Sequence, residues 1–319
     1  MMFQIGYKLS SEDTHPLNLV NYAKMVEDAG FSFAMISDHF HPWVNKQNHS
    51  PFVWSTLGGI SQSTCNLKIG TAVTCPTIRV HPAIIAQAAA TTASMMPGRF
   101  MLGVGSGEKL NEHILGDYWP PALIRIEMLE EAVNIIRMLW SGDIHNFNGK
   151  YYSIENTQIY TLPTRIPPIL MAAAGELAAE TAGRIADGLI TPGIREDLVK
   201  IFKRNGGEGK SCYAEASVCW ADSEDYAKNI SYEYWPIVAN KDGLNWELPT
   251  PKYFEDLAKM IDPETLTSHV ACGNDPQRHI DEIKNFIKAG YDHVFIHQLG
   301  PYQEGFIKFY EEEVLPEFQ

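Results

Sequence analysis

The chain has 319 residues, 45% apolar and 20% charged, and its 25 Lys+Arg against 39 Asp+Glu leave a formal net charge of −14. With no counterion-releasing surplus of cations, sequence-independent nucleic-acid binding is excluded as its main activity, and an anionic ligand would need a local pocket. Cys65, Cys75, Cys212, Cys219 and Cys272 are odd in number and never form a Cys-x-x-Cys pair, which fits a reduced, cytosolic compartment. Residues 1–10 lack a long apolar core behind a basic start, and no apolar run approaches the roughly 20 residues that span a bilayer. These features predict a cytoplasmic enzyme that acts on a small molecule, with no membrane or nucleic-acid partner.

In chain order, short strand-like apolar runs alternate with longer segments of helical period. Residues 3–7 read as the first strand. Over 17–29, Leu17, Val20, Tyr22, Met25, Val26 and Ala29 fall near one helical face, and Gly30 closes it. A strand at 33–37 and a helix at 52–62 follow. Residues 68–75 are β-rich and stopped by Pro76. Residues 82–95 are Ala-rich and helical, with Pro82 where its missing N–H is harmless. A fourth strand at 100–104 leads to a helix at 123–139. Asn148-Gly149 between Phe147 and Tyr151 predicts a hairpin, so 144–160 read as a rim insertion. A strand at 168–172, a helix at 176–186, a strand at 188–191 and a helix from 195 restore the rhythm. A Gly-rich loop at 205–209 precedes a strand at 212–220 and a helix at 223–234. Residues 236–273 read as a second insertion, before a helix at 276–289, a strand at 292–298 and a terminal helix at 305–318.

About eight strand–helix units imply parallel neighbours joined by right-handed crossovers. A doubly wound open sheet could hold the same elements, but the even run favours closure into a (β/α)8 TIM barrel. The expectation is one α/β domain over 1–319, with insertions at about 144–160 and 236–273.

In such a barrel the reactive residues lie where strands end and loops begin. The second strand ends in Ser37-Asp38-His39-Phe40-His41-Pro42-Trp43. A histidine beside a carboxylate there suits proton transfer, against the alternative of a satisfied rim histidine beside a buried Trp. His39 and His41 at i, i+2 could also ligate a metal, but no third ligand at Glu-x-x-His or Cys spacing accompanies them, so no metal is expected. The fourth strand ends in Gly103-Val104-Gly105-Ser106-Gly107-Glu108-Lys109-Leu110-Asn111-Glu112. Glu108 stands where a dinucleotide fingerprint needs its third glycine, which disfavours a nicotinamide site. The glycines still admit a flat or anionic ligand to backbone N–H groups. Glu108 is a candidate acid if a dry pocket raises its pKa; a tight turn capped by a solvated Glu is the alternative. After the third strand, Arg79 is either an anion contact or a plain surface arginine. These residues describe a barrel enzyme with an acid–base pair and a glycine-lined bed, without naming the reaction.

Through these motifs, and through Thr74-Cys75-Pro76-Thr77, His81-Pro82-Ala83-Ile84-Ile85-Ala86-Gln87, Glu247-Leu248-Pro249-Thr250-Pro251 and His297-Gln298-Leu299-Gly300-Pro301, the chain resembles the luciferase-like barrel flavoproteins. It most resembles the oxidoreductases that use the deazaflavin coenzyme F420 and are named after glucose-6-phosphate dehydrogenase. The resemblance runs from the first strand to the last helix. It implies that His39 takes a hydroxyl proton while hydride leaves the same carbon for the deazaflavin C5, and that Glu108 protonates the ring at N1. Trp43 would wall the site and Glu12 would lie near the substrate. Asp38, Cys75, Gly107, Asn111, Ala173 and Ala174 would contact the cofactor, and a non-prolyl cis peptide, Ala72–Val73, would prop the ring from behind. FMN is the alternative cofactor, with a monooxygenase or reductase activity, because the same barrel accepts both rings. Sugar-phosphate members hold the phosphate with basic residues after the sixth strand and in the late insertion. Here Arg195 falls near the first, while Asn245 and His269 stand where a Lys and an Arg would be wanted. Losing two of three cations weakens the hold on a dianion. A neutral alcohol, sugar or lipid-like hydroxyl is therefore at least as well supported as glucose 6-phosphate, with Arg195 and His269 as candidate substrate contacts. By the same resemblance a homodimer is expected.

Overall fold

The computed structural model describes residues 3–237, 243–262, 265 and 270–318. Its strands are β1 (Gln4–Leu9), β2 (Phe33–Ile36), β3 (Lys68–Thr71), β4 (Phe100–Val104), β5 (His145–Asn148), β6 (Ser153–Thr157), β7 (Ile169–Ala172), β8 (Gly188–Thr191), β9 (Ser211–Cys219), β10 (Ala271–Cys272) and β11 (His293–Gln298). Eight of them, β1–β4, β7–β9 and β11, pair side by side and in parallel, and the β8–β9 pairing closes the ring. The fold is a (β/α)8 barrel. Strands β5 and β6 form a separate antiparallel ribbon, and β10 adds two rungs to the upper half of β9.

The helices that cross between strands are α1 (Pro16–Asp28), α2 (Val53–Ser63), α3 (Pro82–Met95), the single turn α4 (Lys109–Glu112), α5 (Ala122–Leu139), α6 (Glu176–Ile185), α7 (Glu196–Phe202), α8 (Glu224–Tyr234), α9 (Pro251–Ala258), α10 (Pro276–Lys288) and α11 (Gln303–Phe309). Two begin with a His-Pro pair. His15 and His81 sit in extended backbone and each accepts a hydrogen bond at Nδ1 from the amide two residues on, while Pro16 and Pro82 open the helix. Helix α5 buries Ile126, Leu129, Val133 and Ile136 on one face, the spacing that packs a helix on a sheet. Each such side chain contributes roughly 1.5–3 kcal/mol of transfer free energy.

Inside the ring the period-2 alternation of the strands builds a second, smaller core of Phe33, Met35, Met101, Leu170, Ile190, Tyr213 and Phe295. Below it, at the N-terminal end, a cavity of about 380 Å³ opens between Phe33, Tyr213 and His293. Above it the inward positions become polar: Lys8, Glu215 and His297. The site described below lies at this C-terminal mouth. The strand expected over 68–75 ends earlier, at Thr71; the next peptide, Ala72–Val73, is cis, and a lone bridge from Thr74 to Val104 continues the pairing. The terminal helix starts at Gln303 and widens into a π turn from Tyr310 before closing as a 3-10 turn.

Gly103 is the tightest point of the wall: a Cβ there would lie 1.9 Å from the Thr71 carbonyl oxygen. Gly103→Ala is expected to cost about 3 kcal/mol or more, since backbone rather than a flexible side chain must move. Thermal denaturation of the variant checks this, and an unchanged midpoint would contradict it.

Candidate active site

The base side of the mouth is built from the ends of β1 and β2. Ser11 donates its amide to Ser37 Oγ and its hydroxyl to the Ser37 carbonyl, which staples the two strand ends together. Ser37 and Ser10 then donate to Glu12 Oε2, while Glu12 Oε1 lies 3.6 Å from His39 Nε2. Burial pushes the Glu12 carboxyl up, but the His39 and Lys8 charges and the Ser37 hydroxyl outweigh it and hold it below its ordinary value. His39 Nδ1 is 3.2 Å from the His41 carbonyl and donates there, which turns Nε2 toward Glu12. His41 is held by the Leu110 carbonyl.

Trp43 closes this side. Its ring centroid is 5.0 Å from that of His39, and it meets Trp235 and Phe254 edge-on. Gln47 Oε1 accepts from the amides of Trp43 and Val44, while Gln47 Nε2 donates to the Tyr234 carbonyl. The wall is thereby tied to α8. The Glu247 segment is anchored apart from the chemistry: Arg125 and Trp119 Nε1 both bond the Glu247 carboxylate.

The opposite side is the glycine-lined bed. Gly107 has φ +83°, and a Cβ there would meet Cys75 Sγ at 2.7 Å and Glu112 Cγ at 2.8 Å. Only glycine leaves the backbone open at this point. Cys75 is buried against Thr77, and burial, with Glu112 and Glu108 adding, pushes its thiol well up, which makes it a packing group rather than a nucleophile. Asn111 accepts from the Phe40 and His41 amides through Oδ1, yet its Nδ2 is buried with no partner among the described residues. Glu108 heads α4 with no side-chain bond to the helix, and its charge reaches both Cys75 and Glu112. The cis peptide Ala72–Val73 stands at the same mouth, with Lys8 Nζ 3.1 Å from the Ala72 carbonyl.

Arg79 is not the free anion contact considered from sequence. Its guanidinium lies between Asp38 Oδ1, at 3.1 Å, and Glu112 Oε1, at 3.4 Å, and its amide also donates to Glu112. Asp38 is further held by Thr74 Oγ1. Among the carboxyls of this bed it is that of Glu112 that burial raises, to about 7, with Arg79 opposing and Glu108 and Asp38 adding. Sequence reasoning passed over Glu112; its signal was a second Glu one helical turn beyond Glu108.

Ala173 and Ala174 follow β7, and the Ala174 carbonyl accepts from Arg195 Nη1. Arg195 therefore sits next to the loop after β7, but Asp197 holds its guanidinium at 2.7 Å and 3.0 Å. His269 lies outside the described residues. No group of three or more His, Cys, Asp or Glu among the described residues is placed to hold a metal, and no described helix is long and apolar enough to cross a membrane.

The profile of the luciferase-like monooxygenase family matches residues 1–293. F420-dependent glucose-6-phosphate dehydrogenases from Microbacterium testaceum and Nakamurella multipartita are 34% and 35% identical, each over 98% of this chain and 96% of its own length. A solved F420-dependent secondary alcohol dehydrogenase, in complex with an F420-acetone adduct, superposes with a TM-score of 0.93 at 29% identity over all of both chains.

Two predictions follow from the Arg79 clamp. Arg79→Leu strands the buried Asp38 carboxylate and is expected to cost about 3–5 kcal/mol in chemical denaturation; a loss under about 1 kcal/mol would contradict it. Glu112 keeps its proton in the folded state after the unfolded chain has released it, so it withdraws stability as pH rises from about 4.5 to about 7. Glu112→Gln removes that titration. The midpoint of the unsubstituted protein, measured relative to this variant, should fall between about pH 5 and about pH 7.5. Parallel profiles would show that the raised carboxyl is not at this position.

Proposed function

The chain belongs to the luciferase-like monooxygenase family, alongside the F420-dependent glucose-6-phosphate dehydrogenases, and from that membership we propose an F420-dependent oxidoreductase that moves hydride between a substrate C–OH carbon and the deazaflavin C5. The observation that carries the reading is the pairing of a carboxylate-backed His39 with a bed that offers an unpartnered buried donor, Asn111 Nδ2. Those features fit a flat, polar-edged heterocycle. Asp38, Cys75, Gly107, Asn111, Ala173 and Ala174 would hold it, with Ala72–Val73 behind it. Bound there, F420 supplies a two-electron hydride acceptor.

This chain's residues handle the protons. His39 Nε2 takes the hydroxyl proton of the substrate, and the imidazolium so formed faces the Glu12 carboxylate 3.6 Å away. Glu108, at the head of α4, would supply the proton that a bound ring takes up at N1. Trp43, backed by Trp235 and Phe254, excludes water from the reacting carbon.

The substrate in this reading is a neutral alcohol. Arg195 is occupied by Asp197, and the wall above His39 is aromatic, so among the described residues a phosphate dianion finds little to bind. The relative that acts on a secondary alcohol has the same barrel throughout. We further take the protein to be cytoplasmic, in keeping with its five unpaired cysteines, and a homodimer, as its resemblance to luciferase-like barrels implies.

Loss of F420 absorbance with alcohols and with glucose 6-phosphate tests the reading. Turnover should favour the alcohol in kcat/KM, and His39→Ala should lower kcat by about 10²–10⁴. Full turnover in His39→Ala, or none with any alcohol or sugar phosphate in the unsubstituted enzyme, would contradict it.

A further inference from the structure

A second histidine stands at the same mouth and the proton relay above does not use it. Along β11 the inward positions are His293, at the lower cavity, Phe295, in the inner core, and His297, so the alternation aims His297 into the C-terminal mouth. It is 1% exposed, and its Nε2 has no partner among the described residues. An orphaned buried polar atom is costly to keep, so where one persists at a ligand site the ligand is the natural partner.

The rest of the ring is fixed from behind. Nδ1 lies 2.9 Å from Glu215 Oε1, and Glu215 Oε2 lies 3.2 Å from Lys8 Nζ. Although Glu215 is buried, Lys8 and His297 hold its carboxyl down at about 2, so it is ionised and takes the Nδ1 hydrogen. Nε2, on the far side of the ring, is the atom left for a ligand. Trp235 packs edge-on against the imidazole at 4.5 Å and also meets Trp43, the wall of the His39 site. On the other flank Asp13, next to Glu12 in the chain, feels the His297 charge. His297 thus borders the pocket in which His39 works without sharing its hydrogen bonds.

We propose that His297 Nε2 hydrogen-bonds a second hydroxyl group of the substrate, so that the site is built for a neutral diol or polyol rather than a simple mono-alcohol. This rests on the functional reading above and narrows its substrate class. No redox or covalent step is added: His39 still takes the proton of the reacting hydroxyl, and His297 only orients its neighbour. The Lys8–Glu215 pair acts through His297 by fixing which nitrogen carries the hydrogen, and is a positioning pair.

The test compares 1,2-propanediol with 2-propanol in F420 reduction. The unsubstituted enzyme should favour the diol in kcat/KM by at least about 10-fold, because a site that hydrogen-bonds a hydroxyl rejects the analogue lacking it. His297→Phe should collapse that ratio to about 1, and His297→Gln, which returns a polar atom near the Nε2 position, should restore part of it. The ratio is internal to each variant, so a general loss of activity cancels. Equal use of the two alcohols by the unsubstituted enzyme, or a ratio that survives in His297→Phe, overturns the proposal. A second readout is independent of turnover: in ¹⁵N-labelled protein the His297 Nε2 resonance should move on titration with 1,2-propanediol and not with 2-propanol. An Nε2 resonance that ignores the diol overturns the proposal even if F420 chemistry is found. A shift without any turnover upholds it while refuting the redox reading.

Discussion

A single guanidinium gathers the ends of three neighbouring strands at the mouth of the barrel. Arg79, after β3, reaches Asp38 after β2 and Glu112 in α4 after β4. Both carboxyl groups are buried, and neither would be tolerated there as an isolated charge. The clamp has consequences on each side. It anchors the Ser37–Trp43 segment that carries His39, and it anchors the short helix whose Asn111 binds the Phe40 and His41 amides and whose first residue follows Glu108. Base and bed are held to each other by charge-assisted bonds rather than by loop packing, the kind of rigid support that acid–base chemistry needs.

A second constraint comes from the division of the barrel interior. The middle layer is apolar, whereas one rung higher the inward positions of β1, β9 and β11 carry Lys8, Glu215 and His297. A buried ion pair of this kind adds little to stability. Its value lies in direction, since it fixes one imidazole tautomer and puts a cation against the Ala72 carbonyl. The mouth therefore holds two oriented histidines. His39 is backed by Glu12 and His297 by Glu215, and the aromatic rings of Trp43 and Trp235 lie against them.

Much of this was legible in the sequence because the signals are local. The alternation of short apolar runs with helical segments carried the barrel, and the strand-end rule selected the Ser37–Trp43 and Gly103–Glu112 segments, which the structure brings together through Asn111 and Arg79. What escaped depends on pairs far apart in the chain. Lys8 and Glu215 are separated by 207 positions, and a Glu between Ala214 and Ala216 in an apolar strand carries no local mark of its partner. For the same reason the sequence offers Arg79 only as an anion contact or a surface arginine, as nothing in its vicinity announces two buried carboxyl groups. The strand over 68–75 was read too long because β-propensity is blind to the cis peptide that follows Thr71. His81, quoted as part of a family motif, proves to be a helix cap.

The claim on which all of this turns is that the mouth is a bed for a deazaflavin. Equilibrium titration of the purified apoprotein with F420 and, separately, with FMN tests it most directly. The account predicts saturable F420 binding at least about 10-fold tighter than FMN, weakened by Asn111→Ala, which removes the orphaned buried donor. Tight FMN binding with no saturable F420 binding would contradict it.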